Sequence, residues 1–85
     1  MTEYSRPQKR SLTLCGHRTS VTLEEPFWRR FREIADERSI SVNALAARID
    51  AARPAGVGLA SAIRVYVLSD ALERPEATRA ASVAA

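Results

Sequence analysis

Residues 17–23, HRTSVTL, alternate strictly. Arg18, Ser20 and Thr22 are polar, while Thr19, Val21 and Leu23 are apolar or β-branched. A period of two marks a half-buried β-strand. Almost everything after it has the helical period instead. A lone strand leaves rows of unpaired backbone N–H and C=O groups. Any fold of this chain must therefore supply that strand with a partner and its polar face with a use.

The stretch just before it, RSLTL at residues 10–14, also alternates, with Leu12 and Leu14 on one face. Their numbers are even, whereas Val21 and Leu23 are odd, so one straight strand through all four would turn apolar residues to opposite faces. Gly16 lies between and can supply a kink or a turn. RSLTL can fold back on RTSVTL as a hairpin, or belong to an N-terminal arm that docks separately. CGH is a poor match to the preferred hairpin turns, which favours the arm.

Three helices are expected. Thr22 and Glu25 fit a capping box, and Glu24 and Glu25 suit the positive end of the helix dipole. Pro26 is tolerated in a first turn. Phe27, Phe31, Ile34 and Ala35, widened by Trp28, form a stripe that spacing assigns to the core rather than to base stacking. This helix stops near Arg38. Ser41 is a good N-cap for a second helix, and Ile40 and Leu45 stand at hydrophobic-staple positions. Val42, Leu45, Ala46 and Ile49 give its apolar face, and Pro54 ends it near Arg53. PAGVG is a loop. A third helix over residues 59–74 has a broad apolar surface, with Leu59, Ile63, Tyr66 and Val67 on one side and Leu68 and Leu72 on another. Pro75 ends it. The expected organisation is a flexible basic arm over 1–9, a domain over 10–74 and a frayed tail over 75–85.

At 85 residues the chain is one small domain, of a size that often needs an oligomeric partner. A hydrophobic content of 46% argues against wholesale disorder. No apolar run approaches a membrane span, no secretory h-region follows the basic N-terminus, and one cysteine makes no internal disulfide; the cytoplasm is the expected compartment. Net charge is +3, and all of it falls within residues 1–23, on Arg6, Lys9, Arg10 and Arg18 against Glu3; the rest of the chain balances nine arginines against nine acids.

One strand per chain cannot build a sheet. Two chains can each donate theirs to an antiparallel ribbon across a twofold axis. Thr19, Val21 and Leu23 then sit on a shared helical core, and Arg18, Ser20 and Thr22 stand outward from both chains. A two-stranded ribbon fits the DNA major groove. The expected class is thus mainly α with one short N-terminal strand, paired between chains.

RTSVTL followed by EEPFWRRFREIADERSISVNALAARI resembles the ribbon-helix-helix superfamily typified by Arc, MetJ and CopG. The longer string KRSLTLCGHRTSVTLEEPFW is similar to a bacterial subgroup of small ribbon-helix-helix proteins. The resemblance covers about residues 9–73 and implies an obligate dimer, here with an extra C-terminal helix, whose ribbon enters the major groove of double-stranded DNA. By position it makes Arg18, Ser20 and Thr22 base-contacting. It puts a backbone phosphate at Ser41, Val42 and Asn43, where a helix start attracts anions anyway. Lys9 and Arg10, with Arg6, are further phosphate contacts. Family members often carry Gly between the helices; here that place is Ser39. Serine and threonine discriminate bases poorly, whereas Arg18 can read guanine bidentately.

The function expected is a dimeric DNA-binding transcriptional repressor, with dimers able to assemble further along DNA. The alternative is a protein-interaction module, antitoxin-like or accessory, that uses the third helix. An enzyme has no supporting constellation. Cys15 and His17 are too few for a metal site, no Gly-rich phosphate loop is present, and no cofactor is expected.

Overall fold

The computed structural model describes residues 6–73; the expectations for residues 1–5 of the arm and for the tail over 75–85 lie outside the described residues. The elements are β1 (Gln8–Leu14), β2 (His17–Leu23), α1 (Glu25–Glu37), α2 (Val42–Ala52) and α3 (Leu59–Leu72). A two-stranded antiparallel ribbon precedes three helices, so the chain has the expected ribbon-helix-helix architecture with its extra C-terminal helix.

The ribbon's second strand corrects the sequence reading. RSLTL is not an arm: it lies in β1 and pairs with β2 of the same chain, from Gln8 opposite Leu23 to Leu14 opposite His17. The chain closes its own ribbon, where a strand from a second chain was expected. The connecting loop is Cys15 and Gly16, with φ of 49° and 85°. Both central residues of a type I′ turn need positive φ, and the twist of that turn matches the twist of the strands it joins. Gly16 adopts it freely, and the unbranched Cys15 tolerates it. Parity supplies the driving force. A two-residue loop sets even-numbered residues of β1 opposite odd-numbered residues of β2. Leu12, Leu14, Val21 and Leu23 therefore share one face, and all four are buried. β1 also starts at Gln8, so Gln8 and Lys9 belong to the ribbon and not to the arm.

The buried face of the hairpin rests on the helices. Leu23, Trp28, Phe31, Ile34, Leu45 and Ile63 are the largest fully buried side chains, so the aromatic stripe of α1 is core as its spacing predicts. Trp28 packs edge-on to Phe31, with centroids 6.4 Å apart, and its indole N–H donates to the Gln8 carbonyl at 2.8 Å. The expected capping box at the start of α1 does not form. Thr22 is still paired in β2, opposite Lys9, and Glu24 takes the N-cap place without a side-chain cap bond.

The turn after α1 is a Schellman motif. The amides of Ser39 and Ile40 donate to the carbonyls of Asp36 and Ala35, both at 3.0 Å. Ser39 has φ 57°, the left-handed conformation expected at this place. Ser41 caps α2 as expected, its Oγ accepting from the Ala44 amide at 3.0 Å. α3 ends at Leu72, with Glu73 as its C-cap, and buries Ile63 and Val67. Two arginines tie it to the rest. Arg64 Nε donates to Glu24 Oε1 at 3.0 Å, and Arg30 of α1 donates to Asp70 Oδ2 at 2.9 Å.

Candidate nucleic-acid interface

Because opposite residues of a hairpin share a face, the pairing fixes which side chains stand outward. They are Lys9 opposite Thr22, Ser11 opposite Ser20, and Thr13 opposite Arg18, and all six are exposed. The pair beside a two-residue turn, Leu14 and His17, is hydrogen-bonded. The three outward pairs are thus the close, non-hydrogen-bonded kind, with Cα atoms about 4.5 Å apart. The patch is compact: two cations at its diagonal corners, four hydroxyls, and no acid. Four residues of strand separate the Lys9 and Arg18 levels, roughly 13 Å.

Arg18, Ser20, Thr22 and Lys9 are therefore brought together on one surface. Arg10 is not. It lies opposite Val21 on the other face, where its guanidinium sits 5.6 Å over the Trp28 ring and 3.4 Å from Glu25 Oε1. A carboxylate and an aromatic face both attract a cation, which turns Arg10 toward α1 and away from the outward patch. Sequence reasoning misses Ser11 and Thr13. The even-to-odd switch between Leu12/Leu14 and Val21/Leu23 was the signal, since it is what a two-residue hairpin requires.

The start of α2 stands beside this patch. In a non-hydrogen-bonded pair the backbone amide points away from the partner strand, and the Thr13 amide donates sideways to Asn43 Oδ1 at 3.1 Å. Asn43 is thereby fixed at the open edge of β1. The Ser41 oxygen accepts from Ala44, and Ser41 O accepts the Leu45 amide at 3.0 Å. Helix geometry leaves the Val42 and Asn43 amides without intrahelical acceptors. The expected anion-binding groups are thus held close to Thr13. Elsewhere arginines have acidic neighbours: Arg30 with Glu33, Glu37 and Asp70, Arg32 with Glu25, Arg53 with Asp50, and Arg64 with Glu24.

A model of the ribbon-helix-helix domain matches residues 7–71. The chain belongs to the ribbon-helix-helix family. The matched span takes in β1 as well as β2, so the hairpin is part of the ribbon-helix-helix unit and not an addition to it. Domains of this family are generally those of DNA-binding transcription regulators, and the fold is a non-enzymatic one. No curated protein and no solved structure matches the chain. Among the described residues of this ribbon-helix-helix protein, no helix is long and apolar enough to cross a membrane.

Proposed function

We propose that this protein is a dimeric, sequence-specific transcriptional repressor of the cytoplasm that lays its hairpin into the DNA major groove and occludes a promoter. The outward face of the hairpin carries the reading. A two-stranded ribbon is narrow enough for a groove about 12 Å wide. Arg18 contacts guanine with its two-pronged donor set, and Ser20 and Thr22 contact neighbouring base edges less selectively. Ser11 and Thr13 join them on this face. Lys9 lies at the far corner, placed for a phosphate. The Val42 and Asn43 amides, with the Ser41 hydroxyl, face a second phosphate on the side of β1. Arg10 contributes at most at the rim of the interface, since Glu25 and Trp28 already hold it.

The test is a mobility shift on DNA from immediately upstream of its own coding sequence, against a shuffled competitor, at two salt concentrations. Arg18→Ala is expected to weaken binding by roughly 1–3 kcal/mol and to relax base preference. Equal binding of both DNAs, lost at the higher salt, would reduce the reading to backbone electrostatics. A protein-interaction module is the second reading. It is favoured by one observation, the exposed apolar side of α3, and gains if DNA is not retained while a partner protein is.

A further inference from the structure

Side chains of the helices hold the hairpin backbone at both of its ends. Where Gln8 faces Leu23, the Trp28 indole donates to the Gln8 carbonyl at 2.8 Å, and close by Arg64 Nη2 donates to the Thr22 carbonyl at 3.4 Å. At the turn end, the Thr13 amide donates to Asn43 Oδ1 at 3.1 Å. The strand from Gln8 to Thr13 spans roughly 17 Å, so the first two contacts give little control over the far end. A two-stranded hairpin is also only marginally stable by itself.

Apolar packing acts at the turn end too. Leu12 and Leu14 are buried, as are Leu45, Ala46 and Ile49 of α2. Burial is non-directional: it sets how closely β1 lies on the helices and opposes sliding along the strand only weakly. A hydrogen bond has a preferred length and angle. The Asn43 contact joins residues 30 apart in sequence and so fixes where along β1 the start of α2 stands. The Thr13 amide is available because Thr13 and Arg18 form a non-hydrogen-bonded pair, which turns that amide away from β2. The Ser11 amide points the same way and has no acceptor among the described residues.

The bond acts at the level of Arg18. Thr13 is its cross-strand partner, with Cα atoms about 4.5 Å apart. Asn43 is also the second residue of α2, so its own backbone amide is one of those without an intrahelical acceptor. A single side chain thus ties the level of the base-reading arginine to the helix start that faces a phosphate.

We propose that Asn43 is a positioning residue for base discrimination: through the Thr13 amide it sets the register between Arg18 on the hairpin and the free amides at the start of α2. This rests on the DNA-binding reading of the hairpin face. A matched site needs the base edge and the phosphate met at once, whereas attachment to phosphates alone carries no sequence information. Without the bond the turn end has to be ordered on binding, and that cost falls on the matched complex.

Two measurements on Asn43→Ala and Asn43→Asp test it. Hydrogen exchange followed by NMR without DNA reads the contact, with the Ser11 amide as internal reference. In the wild type Thr13 should exchange more slowly than Ser11, each corrected for its intrinsic rate. The difference should vanish in Asn43→Ala and remain in Asn43→Asp, which keeps an acceptor oxygen. Mobility shift on its own upstream DNA and on shuffled DNA reads the consequence. Asn43→Ala should lose about fivefold to tenfold on the upstream DNA and less than about twofold on the shuffled one. Asn43→Asp sets a negative charge beside the phosphate, so it should lose affinity on both DNAs alike and keep its preference. Circular dichroism checks the helices; should Asn43→Ala lose them, Asn43→Ser, whose oxygen falls one atom short, takes its place. An alanine variant with unchanged preference, or with a Thr13 amide exchanging no faster than in the wild type, would overturn the positioning role and leave the DNA-binding reading standing. A wild type with no preference between the two DNAs would overturn both.

Discussion

Two backbone positions decide how the elements turn, and substitution separates them. Gly16, at φ 85°, has nothing within 4 Å of where a Cβ would stand. Gly16→Ala therefore meets no clash, and its whole effect is torsional: a loss of about 1 kcal/mol in chemical denaturation, in the hairpin turn alone. Ser39, at φ 57°, already holds an L side chain in that left-handed region and carries the strain in the wild type. Ser39→Gly relieves it and should raise stability by up to about 1 kcal/mol, since the greater freedom of the unfolded glycine offsets part of the gain. An unchanged midpoint in either variant would remove the torsional account of that turn. The Ser39 turn was legible because a helix end, a cap at Ser41 and a short connection leave one residue to reverse the chain. The Cys15–Gly16 turn was not, because cysteine is an uncommon first residue there and the frequency of a dipeptide says little about what a particular pair of strands will enforce.

At the scale of elements, α3 is the part most dependent on side-chain chemistry for its place. Arg64 joins it to the β2–α1 junction through Glu24 and the Thr22 carbonyl, with its guanidinium 5.9 Å over the Phe27 ring. The hydrogen bond from Arg64 holds the Glu24 carboxyl below its ordinary range, helped by the backbone amide of Glu24 and by the charge of Arg64. A carboxylate whose folded pKa is depressed adds stability in full above its unfolded pKa and loses it as pH falls through the folded value. Glu24→Gln should therefore flatten the acid side of the melting-temperature profile between about pH 5 and about pH 3, with little change in shape near neutrality. Parallel profiles for the two proteins would show that the contact carries no linkage. Arg30 behaves conversely. Although desolvation opposes its charge, the carboxylates of Glu37, Glu33 and Asp70 raise its pKa above the ordinary arginine value, so it stays charged wherever the protein is folded. The sequence marked both helices correctly. It could not mark these ties, because Arg64 and Glu24 are 40 residues apart.

For the whole molecule, the consequence of the hairpin is that one chain by itself presents the complete outward patch proposed to meet DNA. Charge on that surface should behave additively with respect to salt. Lys9→Ala is expected to weaken binding to matched and shuffled DNA alike and to lower the slope of log affinity against log salt by about one. Arg18→Ala should change the matched site more than the shuffled one. Equal effects of the two substitutions on both DNAs would mean that the hairpin face does not distinguish bases.

The sequence by itself determined the periods: an alternating strand, three helices with their apolar faces, the cap at Ser41, the aromatic core of α1 and the basic excess ahead of Leu23. These follow from local sterics and from which side of each element must leave water. Tertiary structure decided what β2 pairs with. The alternation of RSLTL was visible, but whether it pairs within the chain depends on a turn whose φ values are set by the strands it joins and on four apolar side chains reaching one shared core. It decided too that Arg10 faces α1 while Lys9 faces outward, since adjacent residues of a strand point to opposite sides once the register is fixed. Among the described residues it also leaves Val65, Leu68 and Leu72 of α3 exposed, since a core this small takes one face of each helix.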